Sequence, residues 1–220
     1  MLAFNWIALA IQAVYTSITS GGVAFYDPRP NGGSMLDNAG GGGGEPLNVI
    51  ISGLSSPEVL TDTGILHYAQ AIGFSFECLG FHLGDPQSAN LGDGNSWVNQ
   101  TMELRQEYGD VELGTCMESL VGGNHFRVFR QNGTLADSGA LFLGVSQEED
   151  VFDGHMIIPD GYNVGRDLLV AAAVGTKRHE GVTYSTVAQN LTGLLEAGSV
   201  GVNHGIATDG IIVLLTVTIV

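Results

Sequence analysis

The chain has 220 residues, 23 acidic against 7 basic side chains including a single lysine, Lys177, and a formal charge of −16. Such a balance repels phosphate backbones, which excludes nucleic acid as an expected partner, and no basic amphipathic stretch exists for an anionic membrane surface. A hydrophobic content of 44% with 33 glycines fits one loop-rich globular domain, long enough to bury a sizeable core.

Residues 1–20 are apolar and carry no charged side chain, which predicts a secretory signal peptide and no membrane association once it is removed. Residues 21–45 are rich in Gly, Asn, Ser and Pro and end in five consecutive glycines, 40–44, so a flexible segment is expected. No strand precedes those glycines and no Lys-Ser/Thr follows, so they are not a phosphate cradle. The folded domain is expected over 46–220.

Its first element is a Val/Ile-rich strand at 47–52. Ser55, Ser56, Pro57 and Glu58 read as a helix start, with a serine cap, Pro at the first position and an acid in the first turn. An apolar stripe through Val59, Leu60, Ile65, Leu66, Ala69 and Ile72 continues it until Gly73. A second strand is expected at 77–83, and His67 and His82 read as boundary residues. Residues 84–100 read as a polar loop; Asp85, Asp93 and Asn95 suggest calcium, but the other ligands of a calcium loop are missing. Residues 102–108 fit a short strand or a helix, and 112–120 a helix carrying Cys116.

The polar residues gather after that point. Residues 124–130 and 139–146 read as an antiparallel hairpin with a turn at Gln131, Asn132 and Gly133. Period-two alternation places Phe126 and Val128 on the core face with Arg130 beside them. His125 and Arg127 fall side by side on the other face, roughly 7 Å apart by the strand repeat. An acidic run at Glu148, Glu149 and Asp150 follows, then His155 and Asp160. Asp160 or Asn163 can cap a helix over 164–174, stopped by Gly175. Arg166 lies in its first turn, against the helix dipole, and so needs a partner; Asp160 and Asp150 are the candidates. Strands are expected at 182–187 and 210–220, with a loop between them. The order of elements predicts an α+β fold, a mixed, mainly antiparallel sheet with helices packed on one side.

Two cysteines, Cys78 and Cys116, suggest one disulfide in an oxidising compartment; two buried thiols are the alternative. Such a bridge contributes roughly 3–4 kcal/mol on the chain-entropy account. Sequons at Asn99, Asn132 and Asn190 agree with secretion and predict a glycoprotein.

Taken in order, these motifs resemble the C-terminal domain of the LssY family, found in bacteria behind membrane-embedded regions. The likeness runs over about 46–220. It rests on the opening strand with Asn48, the helix end Ala71-Ile72-Gly73-Phe74, and the His125-x-Arg127-x-Phe129-Arg130 strand. It continues through the acidic strand end at Asp150, His155 to Asp160, Arg166-Asp167, and Thr208-Asp209-Gly210 before an apolar strand. The family has no assigned activity, so the resemblance implies a fold and a polar cluster. The cluster is His125, Arg127, Arg130, Asp150, His155, Asp160, Arg166 and Asp209.

Three functions suit that cluster. As a binding module its arginines would hold a small anionic or polyhydroxylated ligand. As a hydrolase of phosphoesters or glycans, His125 or His155 would serve as acid or base, oriented by Asp150 or Asp160. As a structural protein its charges would satisfy one another. No Gly-x-Ser-x-Gly or His-Glu-x-x-His pattern occurs, so neither a metal nor another cofactor is expected.

Overall fold

The computed structural model describes residues 22–40, 42–80, 85–111, 113–154 and 156–220. The expected signal peptide, His82 and His155 lie outside the described residues.

The elements in chain order are β1 (Val49–Ile51), α1 (Asp62–Ala71), β2 (Phe74–Phe76), β3 (Ser88–Asn90), β4 (Trp97–Asn99), β5 (Met102–Gln106), α2 (Gly114–Val121), β6 (Gly123–Gly133), β7 (Ala136–Glu148), α3 (Gly161–Ala173), β8 (Gly175–His179), β9 (Val182–Leu191) and β10 (Ile212–Ile219). Eight strands form one sheet in the order β2-β5-β6-β7-β1-β10-β9-β8, and β3 pairs with β4 alone. Only β1 and β10 run parallel; the other neighbours in the sheet are antiparallel. This is the expected α+β fold on a mixed, mainly antiparallel sheet.

The alternation of residues along the strands divides the core. Val49, Ile51, Leu104, Phe126, Val128, Leu143, Val145, Val213 and Leu215 point to one face. There Ile65, Tyr68 and Ala69 of α1, with Leu169 and Ala173 of α3, cover them. The other face carries Leu47, Ile50, Phe129, Phe142, Ile212 and Leu214, covered by Met35 and by Ala89 and Leu91 of the β3 region.

Several boundaries move for identifiable reasons. The helix expected from Ser55 begins at Asp62, capped by Thr61, whose hydroxyl accepts from the Gly64 N–H. Ser55 and Ser56 instead accept from the backbone N–H groups of Val217 and Ile219, so they finish the edge of β10. The hairpin is longer than expected, since β6 runs through Gly133. A Cβ at Gly133 would stand 2.2 Å from the Asp93 carbonyl oxygen, so this glycine answers a close approach rather than a turn. The Asp93 carboxylate accepts from the N–H groups of Asn95, Asn132 and Gly133, which assigns it to loop closure rather than to calcium.

The expectation of a flexible segment at 21–45 is corrected over its described residues. Met35 is buried, and the Asp37 carboxylate closes the glycine loop by accepting from the Ala39 and Glu45 N–H groups. Gly44 donates to the Gly201 carbonyl at 2.9 Å and accepts from the Asn203 N–H at 2.9 Å. A Cβ at Gly44 would stand 2.1 Å from the Asp37 carbonyl oxygen, and one at Gly43 2.4 Å from that of Gly201. The glycines are there because the backbones touch.

Cys78 and Cys116 form a disulfide between residues 38 apart in sequence, tying α2 to the turn after β2. α2 is short, lacks a side-chain cap and leaves Met117, Leu120 and Val121 exposed, so its own packing holds it weakly. Replacing both cysteines with serine should lower the unfolding free energy by about 4 kcal/mol on the loop-closure account. Denaturant melts of the variant and of the reduced parent measure the loss, and the two should agree.

Candidate functional site

The site begins with two adjacent strands. β5 alternates apolar Met102 and Leu104 with charged Glu103 and Arg105, and β6 alternates Phe126 and Val128 with His125 and Arg127. The register sets Glu103 opposite Arg127 and Arg105 opposite His125. All four charged or polar side chains therefore share the face away from α1 and α3. β7 adds Ser146, opposite His125, and Glu148. Glu118 reaches in from α2, and Glu45 from the end of the glycine loop.

These groups form one ion-pair lattice. Arg105 places Nη1 2.9 Å from Glu118 and 3.0 Å from Glu148, and Nη2 2.7 Å from Glu103. Arg127 places Nη1 2.8 Å from Glu45 and Nε 3.1 Å from Glu103. Glu103 thus joins the two arginines, one oxygen to each. Glu103, Glu118 and His125 are fully buried, and the Arg127 side chain is 12% exposed.

Electrostatics follow from that burial. Burial pushes Glu45 up to about 7 and Asp37 up to about 6, and for Glu45 the pull of Arg127 only partly offsets it. Burial also acts on Glu103, but Arg127, His125 and Arg105 together hold its carboxyl below the usual range. Arg105 stays firmly charged: burial opposes the charge, and Glu118, Glu103 and Glu148 outweigh it. His125 is pushed down to about 4 by burial and is therefore neutral at pH 7.

Its tautomer is fixed too. Arg127 can only donate, and its Nη1 lies 3.1 Å from His125 Nε2, so Nε2 accepts and Nδ1 carries the proton. Nδ1 faces Glu148 at 3.5 Å without a well-aligned hydrogen bond. Glu118, His125 and Glu148 have atoms within 4.8 Å of one another, a spacing a metal ion could bridge. With Arg127 in place, however, the imidazole offers those carboxylates a proton rather than a lone pair, and Arg105 already spans them.

The expected cluster separates into parts. His125 and Arg127 meet as read from the strand alternation. Arg130, on the opposite face, pairs with Asp62 at 2.6 Å and donates to the Leu60 carbonyl. Arg166 pairs with Asp209 at 2.6 Å and Asp167 at 2.8 Å, not with Asp150 or Asp160. Asp150 caps a single helical turn through the Phe152 and Asp153 N–H groups. Asp160 begins α3 in a left-handed conformation and accepts from the Asn163 side chain at 2.6 Å. Neither aspartate is positioned to orient His125. Sequence reasoning missed Glu45, Glu103, Arg105 and Glu118. The repeated pattern of Glu103-x-Arg105 and His125-x-Arg127 would have revealed two of them, had 102–106 been read as a strand.

No family model, curated protein or solved structure matches the chain. The resemblance to the LssY C-terminal domain therefore rests on the ordered motifs alone.

Glu45 gives the lattice a pH signature. Between about pH 4.5 and 7 the folded chain keeps a proton on Glu45 that the unfolded chain has released, so raising the pH across this window favours unfolding. Glu45→Gln should remove that contribution. Relative to the parent, the variant should gain stability as pH rises through the window and hold level above it. Denaturant melts at a series of pH values test this, and a pH-independent difference would refute it.

Proposed function

We propose that this chain is a secreted, disulfide-locked extracellular domain whose arginine–carboxylate lattice maintains the fold and performs no chemistry. The observation that supports this most is the commitment of the guanidinium groups: Arg127 and Arg166 are buried against protein carboxylates. A binding site for a small anion would instead leave donors free at an opening. The hydrolase reading loses its pairing of His125 with Asp150 or Asp160, since His125 is fully buried and both aspartates serve in caps and turns.

Secretion is supported by the disulfide and by the surface placement of Asn99, Asn132 and Asn190, all exposed. No helix among the described residues is long and apolar enough to cross a membrane. Kinship with the LssY C-terminal domain is part of the same proposal and concerns the strand motif around His125 and Arg127.

Removing one member of a buried ion pair strands its partners, at about 3–5 kcal/mol. Arg127→Ala should therefore be destabilised by about that much, and Arg127→Met by less, because it keeps the packing and loses only the charge. Thermal and denaturant melts measure both. A fully stable Arg127→Ala that loses a ligand found by screening would sink the structural assignment. Expression with the native leader in a eukaryotic secretory host tests the compartment: endoglycosidase treatment should lower the mass of the secreted chain, and Asn→Gln changes at the three positions should abolish the shift.

A further inference from the structure

A second feature lies at the end of the sheet, on the face away from the lattice. The start of β2, the end of β5, β6 and α3 line a half-open cavity of about 290 Å³. Its walls are apolar: Ile72 and Phe74 on one side, Leu168 and Ala172 of α3 on the other. Four side chains with polar atoms also line it: Asn124, Glu107, Gln106, whose Oε1 accepts from the Asn124 N–H at 3.2 Å, and Tyr108, whose hydroxyl donates to the Gly122 carbonyl at 2.6 Å.

Asn124 and Glu107 present acceptors that lack donors. Asn124 is 2% exposed, and its Oδ1 has no hydrogen-bond partner among the described residues. The amide cannot be turned to hide this, because Nδ2 donates to the Gly165 carbonyl at 2.8 Å. Glu107 Oε2 is buried and likewise without a partner among the described residues. Buried polar atoms are almost always paired, and two orphan acceptors beside one cavity call for a donor from outside the chain. A neutral donor could satisfy Asn124, while a cation also balances the Glu107 carboxylate, whose burial His179 offsets only in part.

We propose that this cavity binds a small organic cation, a primary ammonium on a short apolar body. The ammonium donates to Asn124 Oδ1 and to Glu107, and the hydrocarbon lies between Phe74 and Leu168. The charge of −16 draws such a ligand toward the surface and repels the corresponding anion. This inference is independent of the structural role given to the lattice, which lies on the opposite face of β5 and β6.

The test uses butylammonium and benzylammonium as probes, with butyrate as the anionic control, followed by calorimetry and by NMR of the Asn124 side-chain amide. The parent should bind an ammonium probe saturably, with a shift of that amide, and should not bind butyrate. Glu107→Gln should weaken binding at least tenfold. Leu168→Trp, made at a half-exposed position that tolerates a larger side chain, should block the cavity and abolish binding in a protein with the parent's melting temperature. The proposal is overturned if neither ammonium binds, if butyrate binds as well, or if either folded variant binds like the parent.

Discussion

Glu103 is the residue on which the polar half of the sheet depends. One oxygen holds Arg105 and the other Arg127, so two guanidinium groups that would repel one another share a buried anion. Around that bridge, Glu118 brings in α2, Glu148 brings in β7, and Glu45 brings in the segment before β1. Each connection joins parts of the chain far apart in sequence. The lattice therefore does at this end of the sheet what apolar contacts do at the other, where Phe129, Phe142 and Met35 close the same face. Ionic groups so placed add little net stability over a hydrophobic filling, but breaking any one of them is costly because its partners cannot reach water.

The two faces explain why the sequence could be read only in part. The class of fold followed from apolar periodicity, and so did the hairpin and the last strand, because Val, Ile and Leu occur where period two demands them. His125 and Arg127 were placed together for the same reason. The remainder of the site was not legible. Glu45, Glu103, Arg105, Glu118 and Glu148 lie on four different segments, and only the folded arrangement, with the β5–β6–β7 register at its centre, brings them to one point. Arg166 illustrates the limit of local argument. Its position against the helix dipole correctly implied a partner, but the partners are Asp167, its neighbour, and Asp209, from the turn before β10.

Composition misled most clearly at the glycines. A run of five suggests freedom, yet Gly43 and Gly44 are held where a single methyl group would collide with backbone. Low side-chain volume is the common property of a flexible linker and of a tight backbone crossing, and composition cannot separate them. The difference lies in the flanking carboxylate: Asp37 accepts from the N–H of Glu45 and so fixes both ends of the loop.

The position of β10 has a consequence for biosynthesis. It is synthesised after every other strand of the sheet, yet it occupies the middle of that sheet, between β1 and β9. Until it emerges, the half containing β1, β5, β6 and β7 and the half containing β8 and β9 have no hydrogen-bonded seam between them. The two halves can therefore close into one sheet only after β10 has been made, however early each forms its own strand pairs.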